Sequence, residues 1–244
     1  MHYDERDLKM NNEIAILMAA GKGERMRPIT LTTPKPLVKV HGTSMIETVI
    51  AGLERRGVSK IYVVVGYLGE QFSFLPEKYD NIVLVENKEY TVKNNISSIH
   101  AVADIMAEND CFICEADLYI SDLSIFDAKL DQSCYYGKMV KGHSDDWVFD
   151  LEDGRIVRVG KYGDDAYNMC GVSYFQKKDA KVIADAVKEA YNHEGHENLF
   201  WDDIVNAEIK NVNLTVHPVT AEQIVEIDSV AELKVVDPSY ENIQ

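Results

Sequence analysis

The sequence is short of positive charge. Its 244 residues carry 25 Lys and Arg against 41 Asp and Glu, a formal net charge of −16. Such a balance excludes broad binding to nucleic acid or to anionic membranes, both of which need clustered cations. Long apolar runs are missing too. Nothing approaches the ~20 consecutive apolar residues of a membrane span, and the polar start MHYDERDLKMNNE has no apolar signal region. A soluble cytoplasmic protein is expected, one domain over residues 1–244 with residues 1–13 a poorly ordered extension. Cysteine is scarce. Of the four, Cys134 and Cys170 stand alone. Cys111 and Cys114 have C-x-x-C spacing but fall in CFICEAD, which reads as a strand whose residues three apart face opposite sides. They are expected to be core thiols, with neither a disulfide framework nor a zinc site. His193 and His196, in NHEGHE, lack the order of the H-E-x-x-H zinc motif.

Positive charge is locally concentrated in one stretch, IAILMAAGKGERMRPITLTTPKPLVKV from Ile14 to Val40. Ile14 to Met18 is a short unbroken apolar run, the pattern of a buried strand. Ala19, Ala20, Gly21 and Gly23 follow and strip away side-chain bulk, so that backbone N–H groups can approach phosphate oxygens. Arg25, Arg27 and Lys35 add charge. The stretch lacks the Lys-Ser/Thr ending of a Walker loop and the third glycine of a dinucleotide fingerprint. What it has is G-x-G-x-R-x-x-P-x-T and then Pro34-Lys35-Pro36-Leu37, where two prolines stiffen the backbone around a lysine. A small anionic ligand is the partner this implies.

Further on, apolar strands alternate with amphipathic helices, which favours a mostly parallel sheet. A helix is expected from Ser44 to about Arg56, ended by Gly57, then strands at Lys60 to Val65 and Ile82 to Val85. Pro76 should interrupt a helix between Tyr67 and Tyr79, and another helix should span Ile99 to Met106. The strand Cys111 to Cys114 delivers Glu115-Ala116-Asp117 to the sheet edge where the glycine loop also ends, the edge at which open α/β sheets bind ligands. Asp117 is therefore a metal-ligand candidate, with a turn or helix-cap role as the alternative. From Ser133 the texture turns to short β segments with an Asp153-Gly154 hairpin turn, which suggests a small β-rich insertion covering a substrate. A helix from Asn198 to Ile209 and a final helix capped by Asp228 and Ser229 close the chain.

These motifs resemble the nucleotidylyltransferases that activate sugar phosphates and phosphocholine, and in particular the bacterial CTP:phosphocholine cytidylyltransferases. The resemblance covers nearly the whole chain. It is carried by the opening motif, Glu86-Asn87, Asn94-Asn95-Ile96-Ser97-Ser98, Glu115-Ala116-Asp117, Cys170-Gly171-Val172-Ser173, Trp201-Asp202-Asp203 and Glu226-Ile227-Asp228-Ser229. It implies a Rossmann-like sheet flanked by helices. It also implies a magnesium ion on Asp117 and Asp228, Arg25 and Lys35 as the catalytic cations, and CTP held by Ala19, Ala20, Gly21 and Gly23. Asn87, Asn94, Asn95 and Ser97 would then lie near the cytosine, although asparagines there also suit helix capping. Nucleotidyl transfer joins two anionic reactants, so cations must offset repulsion and the charge that builds on pyrophosphate. For Asp228, the residues alone favour a helix N-cap and the resemblance favours the metal.

Both tryptophans adjoin paired aspartates, in Asp145-Asp146-Trp147 and Trp201-Asp202-Asp203. Aromatic faces and carboxylates suit an alkylammonium, so Trp147, Trp201, Asp146 and Asp202 are the acceptor-binding candidates, with Phe200, Tyr174 and Tyr167 behind them. Core packing is the alternative for both rings. Phosphocholine is the first acceptor this implies. A 2-aminoethylphosphonate cytidylyltransferase is the rival, in which the aspartates outweigh the rings because a primary ammonium donates hydrogen bonds. A sugar-1-phosphate enzyme ranks below these. A catalytically silent nucleotide-sensing domain would be expected to lose Arg25, Lys35 or Asp117, and all three are present.

Overall fold

The computed structural model describes residues 11–242. Its strands in chain order are β1 (Asn11–Ala19), β2 (Lys39–Val40), β3 (Thr43–Ser44), β4 (Val58–Val65), β5 (Ile82–Glu86), β6 (Cys111–Glu115), β7 (Leu118–Ile120), β8 (Ser133–Met139), β9 (His143–Glu152), β10 (Arg155–Asp164), β11 (Tyr167–Phe175), β12 (Leu214–Pro218) and β13 (Ile224–Glu226). The helices are α1 (Met45–Arg56), α2 (Leu75–Lys78), α3 (Ile96–His100), α4 (Ala103–Met106), α5 (Lys177–Ala190), α6 (Trp201–Ala207) and α7 (Val230–Val236). Nine strands form one sheet in the order β5-β4-β1-β6-β11-β8-β12-β10-β9. Strands β5, β4, β1 and β6 are mutually parallel. Beyond β6 the pairings are antiparallel except for β12 on β8. The α/β class is the one expected; the sheet is mixed, because the chain returns through hairpins once past β8.

The parallel half reads as unbroken apolar runs because both faces are covered. Ala15 and Leu17 of β1 face the layer that contains α1, with Ile46, Val49, Ile50 and Leu53. Ile14 and Ile16 face the layer formed by α3, α4, α5 and α6. Cys114 lies in the first layer and Cys111 in the second, as residues three apart on a strand should. All four thiols are free and buried. Gly57 ends α1 at φ 79, its N–H donating to Leu53 and Glu54, a left-handed cap that glycine adopts without strain. Strand β1 begins at Asn11, so residues 11–13 belong to the sheet and not to an extension; residues 1–10 lie outside the described residues.

Pro76 falls in the first turn of α2 and starts that helix instead of interrupting one, since the first turn has no amide partner to lose. The helix expected from Ile99 divides into α3 and α4, and that expected from Asn198 begins at Trp201. The β9–β10 hairpin turns through Asp153 at φ 48 and Gly154 at φ 80, the geometry of a type I′ turn. A third small core of Met26, Val38, Val40, Met45, Ile227 and Leu233 ties the glycine-loop region to α7, and so fixes where Lys35 and Asp228 meet. Among the described residues, no helix is long and apolar enough to cross a membrane.

Candidate active site

A cleft of about 930 Å³ opens at the carboxyl edge of β1 and β6. The glycine loop forms one wall. Gly23 sits at φ +59, and a Cβ there would lie 2.8 Å from Cβ of Lys35, so glycine is what lets the loop pass the lysine. The Thr30 hydroxyl donates to the Gly23 carbonyl at 2.8 Å and holds that turn. A Cβ on Gly21 would meet nothing within 4 Å. The space beside it belongs to the cleft, as a backbone meant to face a ligand requires.

Lys35 is buried at the cleft floor, 8 % exposed. Its Nζ lies 2.6 Å from Oδ2 of Asp117 and 2.6 Å from Oδ1 of Asp228, and the Arg25 guanidinium is 3.0 Å from the other oxygen of Asp228. Burial alone would lower the lysine pKa; Asp117 and Asp228 outweigh it and hold the ammonium above its usual value. Burial pushes the Asp228 carboxyl up, but Lys35 and Arg25 prevail and hold it below its ordinary range. The capping role falls to Ser229, whose hydroxyl accepts from the Glu232 N–H at 3.2 Å while Glu232 accepts from the N–H groups of Asp228 and Ser229. The Asp228 carboxylate is thereby left to the cleft. Two partly exposed carboxylates converging on one ammonium are hard oxygen donors already organised around a cation. That donor set fits magnesium, which takes one or two carboxylates and completes its shell with water and phosphate oxygens.

Two further acids line this floor. Burial, reinforced by Asp117, Asp202 and Glu226 and opposed by Lys35, pushes the Glu115 carboxyl up to about 8. Glu226 is also raised by burial, against the pull of Lys138, 3.2 Å away. Gly171, at φ +66, leaves room for Glu115, since a Cβ there would come within 2.8 Å of its Oε2. Glu115 and Glu226 sit inside sequence motifs that by themselves give them no role. What the two share is position, each being the last residue of its strand, β6 or β13.

Of the expected base-side residues, Asn94, Asn95 and Ser97 line the cleft. Asn87 does not. It is 3 % exposed, and its amide donates to the Ser97 and Ser98 hydroxyls at 2.9 and 3.2 Å, so it braces Ser97 from behind.

The acceptor-side candidates divide. Asp146 and Trp147 reach the cleft, and the Trp147 ring meets Phe200 edge-on with centroids 5.6 Å apart. Trp201 and Asp202 do not reach it. Trp201 is 3 % exposed, stacked on Tyr135 and edge-on to Phe175. Asp202 accepts from the Tyr135 hydroxyl at 2.9 Å, and burial pushes its carboxyl up to about 7 although that bond opposes the shift. The cause is the start of α6: Asp203 accepts from the Phe200 N–H at 2.8 Å, so the helix begins with Phe200 beside the cleft and Trp201 beneath the sheet. Tyr174 is buried in the core, while Tyr167 packs against the edge of the second layer. Lys161, Lys93 and Tyr90 also line the cleft, and no sequence motif marks them.

Residues 15–144 match the model of the MobA-like NTP transferase domain family. The chain belongs to that family. Among relatives of this NTP transferase, the 2-aminoethylphosphonate cytidylyltransferase of Lancefieldella rimae is 57% identical over 227 residues, 93% of this chain and 92% of that one. The choline-phosphate cytidylyltransferase of Streptococcus pneumoniae is 32% identical over 232 residues, 93% of this chain and 98% of its own. The solved structure of the CTP:phosphocholine cytidylyltransferase from Streptococcus pneumoniae superposes with a TM-score of 0.86 at 31% identity, covering 93% of this chain and 99% of that one. The NTP transferase fold thus accounts for the cleft. The Lys35–Asp117–Asp228–Arg25 cluster lies where its sheet edge and glycine loop meet.

Proposed function

We propose that this nucleotidyltransferase transfers CMP from CTP to 2-aminoethylphosphonate and releases pyrophosphate. The observation that carries the reading is the 57% identity, over 93% of the chain, to a 2-aminoethylphosphonate cytidylyltransferase, against 32% to a choline-phosphate enzyme. It reverses the order of acceptors drawn from the sequence and leaves the CMP-transfer chemistry as it was. The cleft agrees with a primary ammonium, because Asp146 and Glu226 offer carboxylate acceptors for N–H donors.

In the proposed reaction a phosphonate oxygen attacks the α-phosphorus of CTP, and the bond from that phosphorus to the bridging oxygen breaks. Such an oxygen is largely ionised near neutrality, so no general base is assigned. The open backbone at Gly21 receives the triphosphate, and Gly23 lets the loop turn closely past Lys35. Arg25 and Lys35 place fixed positive charge where the phosphates gather, and Asn94, Asn95 and Ser97 form the wall for the base. Magnesium, held by Asp117 and Asp228, would neutralise charge on the triphosphate.

The test is pyrophosphate release across CTP, UTP, ATP and GTP with 2-aminoethylphosphonate, phosphocholine, phosphoethanolamine and glucose-1-phosphate. CTP with 2-aminoethylphosphonate is expected to give the highest kcat/KM. A preference for phosphocholine overturns the acceptor, and a preference for UTP with the sugar phosphate overturns both halves of the reading. In the same assay Asp117→Asn is expected to lose at least about a hundredfold in turnover at saturating magnesium with its melting curve intact. Near-normal turnover removes Asp117 from the metal site.

A further inference from the structure

The Trp147–Phe200 pair is the aromatic surface a quaternary ammonium would need, and the chain sets its own cation on it. Lys161 Nζ lies 5.8 Å from the Trp147 ring centroid and 5.2 Å from that of Phe200, within the range at which a cation is drawn to ring faces. Among the described residues no carboxylate forms an ion pair with Lys161, so the rings are its partners. Its place is built by the backbone. The β9–β10 ladder shifts register between Ile156 and Arg158, and this bulge brings Lys161 directly opposite Trp147, on the same face of the hairpin. Arg158 holds the next stretch: its guanidinium pairs with both oxygens of Asp150 and also donates to the carbonyls of Lys161 and Tyr162. Gly160 leaves space for that arch, since a Cβ there would come within 2.5 Å of Nη1 of Arg158.

We infer that Lys161 is a specificity-determining residue that excludes acceptors carrying a quaternary ammonium. The inference rests on the proposed acceptor. A trimethylammonium group has no N–H, so ring faces are what it gains most from, and here those faces carry a fixed like charge. A primary ammonium has a second option. It donates to the cleft carboxylates and leaves the rings to Lys161. The same lysine therefore costs phosphocholine its subsite and costs 2-aminoethylphosphonate little.

The experiment compares Lys161→Gln and Lys161→Arg with the wild type, measuring kcat/KM for both acceptors. It also measures inhibition of the 2-aminoethylphosphonate reaction by tetramethylammonium. Lys161→Gln is expected to raise the ratio of phosphocholine to 2-aminoethylphosphonate use by about tenfold or more, mainly through a lower KM for phosphocholine. Tetramethylammonium should become a correspondingly better inhibitor. Lys161→Arg keeps the charge over the rings and should leave ratio and inhibition near the wild-type values. An unchanged or lower ratio in Lys161→Gln, or a parallel loss with both acceptors, overturns the inference. A rise shared by Lys161→Arg overturns it as well, because charge is then not the cause. The acceptor reading stands or falls on the wild-type preference alone, and the tetramethylammonium readout tests Lys161 whichever acceptor that preference favours.

Discussion

Two short segments of this protein have the same composition and opposite fates. Asp145-Asp146-Trp147 and Trp201-Asp202-Asp203 each put two carboxylates beside an indole. The first lies on β9, where Trp147 lines the cleft while Val148, on the opposite face of the strand, is fully buried. The second opens α6, and the Asp203 carboxylate that accepts from the Phe200 N–H fixes the rotation of its first turn. Trp201 then packs among Tyr135 and Phe175, and Asp202 follows it inward. Local chemistry is the same in both. What differs is the element that carries it, and a helix start turns consecutive side chains about 100° apart where a strand alternates them. The segments should therefore respond to mutation in different currencies: stability for 201–203 and acceptor use for 145–147.

The largest response expected is that of Trp201→Ala. Removing a fully enclosed indole from between two rings should cost about 3–5 kcal/mol, a melting-temperature drop on the order of 10 °C for a chain of this size. The residual folded enzyme should keep its ratio of 2-aminoethylphosphonate to phosphocholine use. Differential scanning fluorimetry and acceptor kinetics on one preparation check both halves. A small thermal loss with a large change in that ratio would return Trp201 to the acceptor site and dissolve the contrast.

The same contrast explains what the sequence disclosed. The proposed nucleotide side rests on features that backbone alone determines. An apolar strand ends in small residues, glycines sit where side chains would collide, and β6 releases Asp117 at the same edge as the loop. Each is written locally, and the family match, residues 15–144, covers this part. The proposed acceptor side depends on tertiary rotation and register. Had β9 and β10 paired from the Asp153-Gly154 turn without a bulge, Gly160 would face Trp147; the shift after Ile156 puts Lys161 there instead. No residue type announces that shift. Asn87 departs from expectation for a related reason: an asparagine beside other asparagines reads as a base contact, and only packing shows its amide spent on Ser97 and Ser98.

A middle-sized effect should separate the buried aspartate from an ordinary surface acid. Burial raises the Asp202 carboxyl from 3.8 to about 7. Between those values the folded protein holds a proton that the unfolded chain has released, so the unfolding free energy falls as pH rises, by at most about 1.4 kcal/mol per pH unit. The contribution is complete below the unfolded value and gone above the folded one. Asp202→Asn cannot titrate and keeps a carbonyl oxygen for the Tyr135 hydroxyl. Its melting temperature relative to wild type should therefore improve from pH 5 to pH 8. A difference that stays flat across that range would mean that Asp202 is ionised in the fold, and that 201–203 is less enclosed than its packing indicates.

The smallest effect expected is that of Trp147→Ala with 2-aminoethylphosphonate. Trp147 is half-buried at the cleft rim, and the cation over its ring is the chain's own Lys161. Truncation removes rim packing and frees Lys161, without deleting a hydrogen bond to a primary ammonium. A loss of no more than a few-fold in kcat/KM is expected, smaller than the roughly tens-fold that a desolvated cation–π contact would cost. Melting should change far less than in Trp201→Ala. Asp146→Asn, on the neighbouring residue, should cost more than Trp147→Ala, because it removes a charged acceptor that N–H donors can use. The order of these two variants is the measurement that matters. If Trp147→Ala proves the more damaging with 2-aminoethylphosphonate, the ring and not the carboxylate holds the ammonium. The segment 145–147 would then bind its acceptor as a quaternary-ammonium site does.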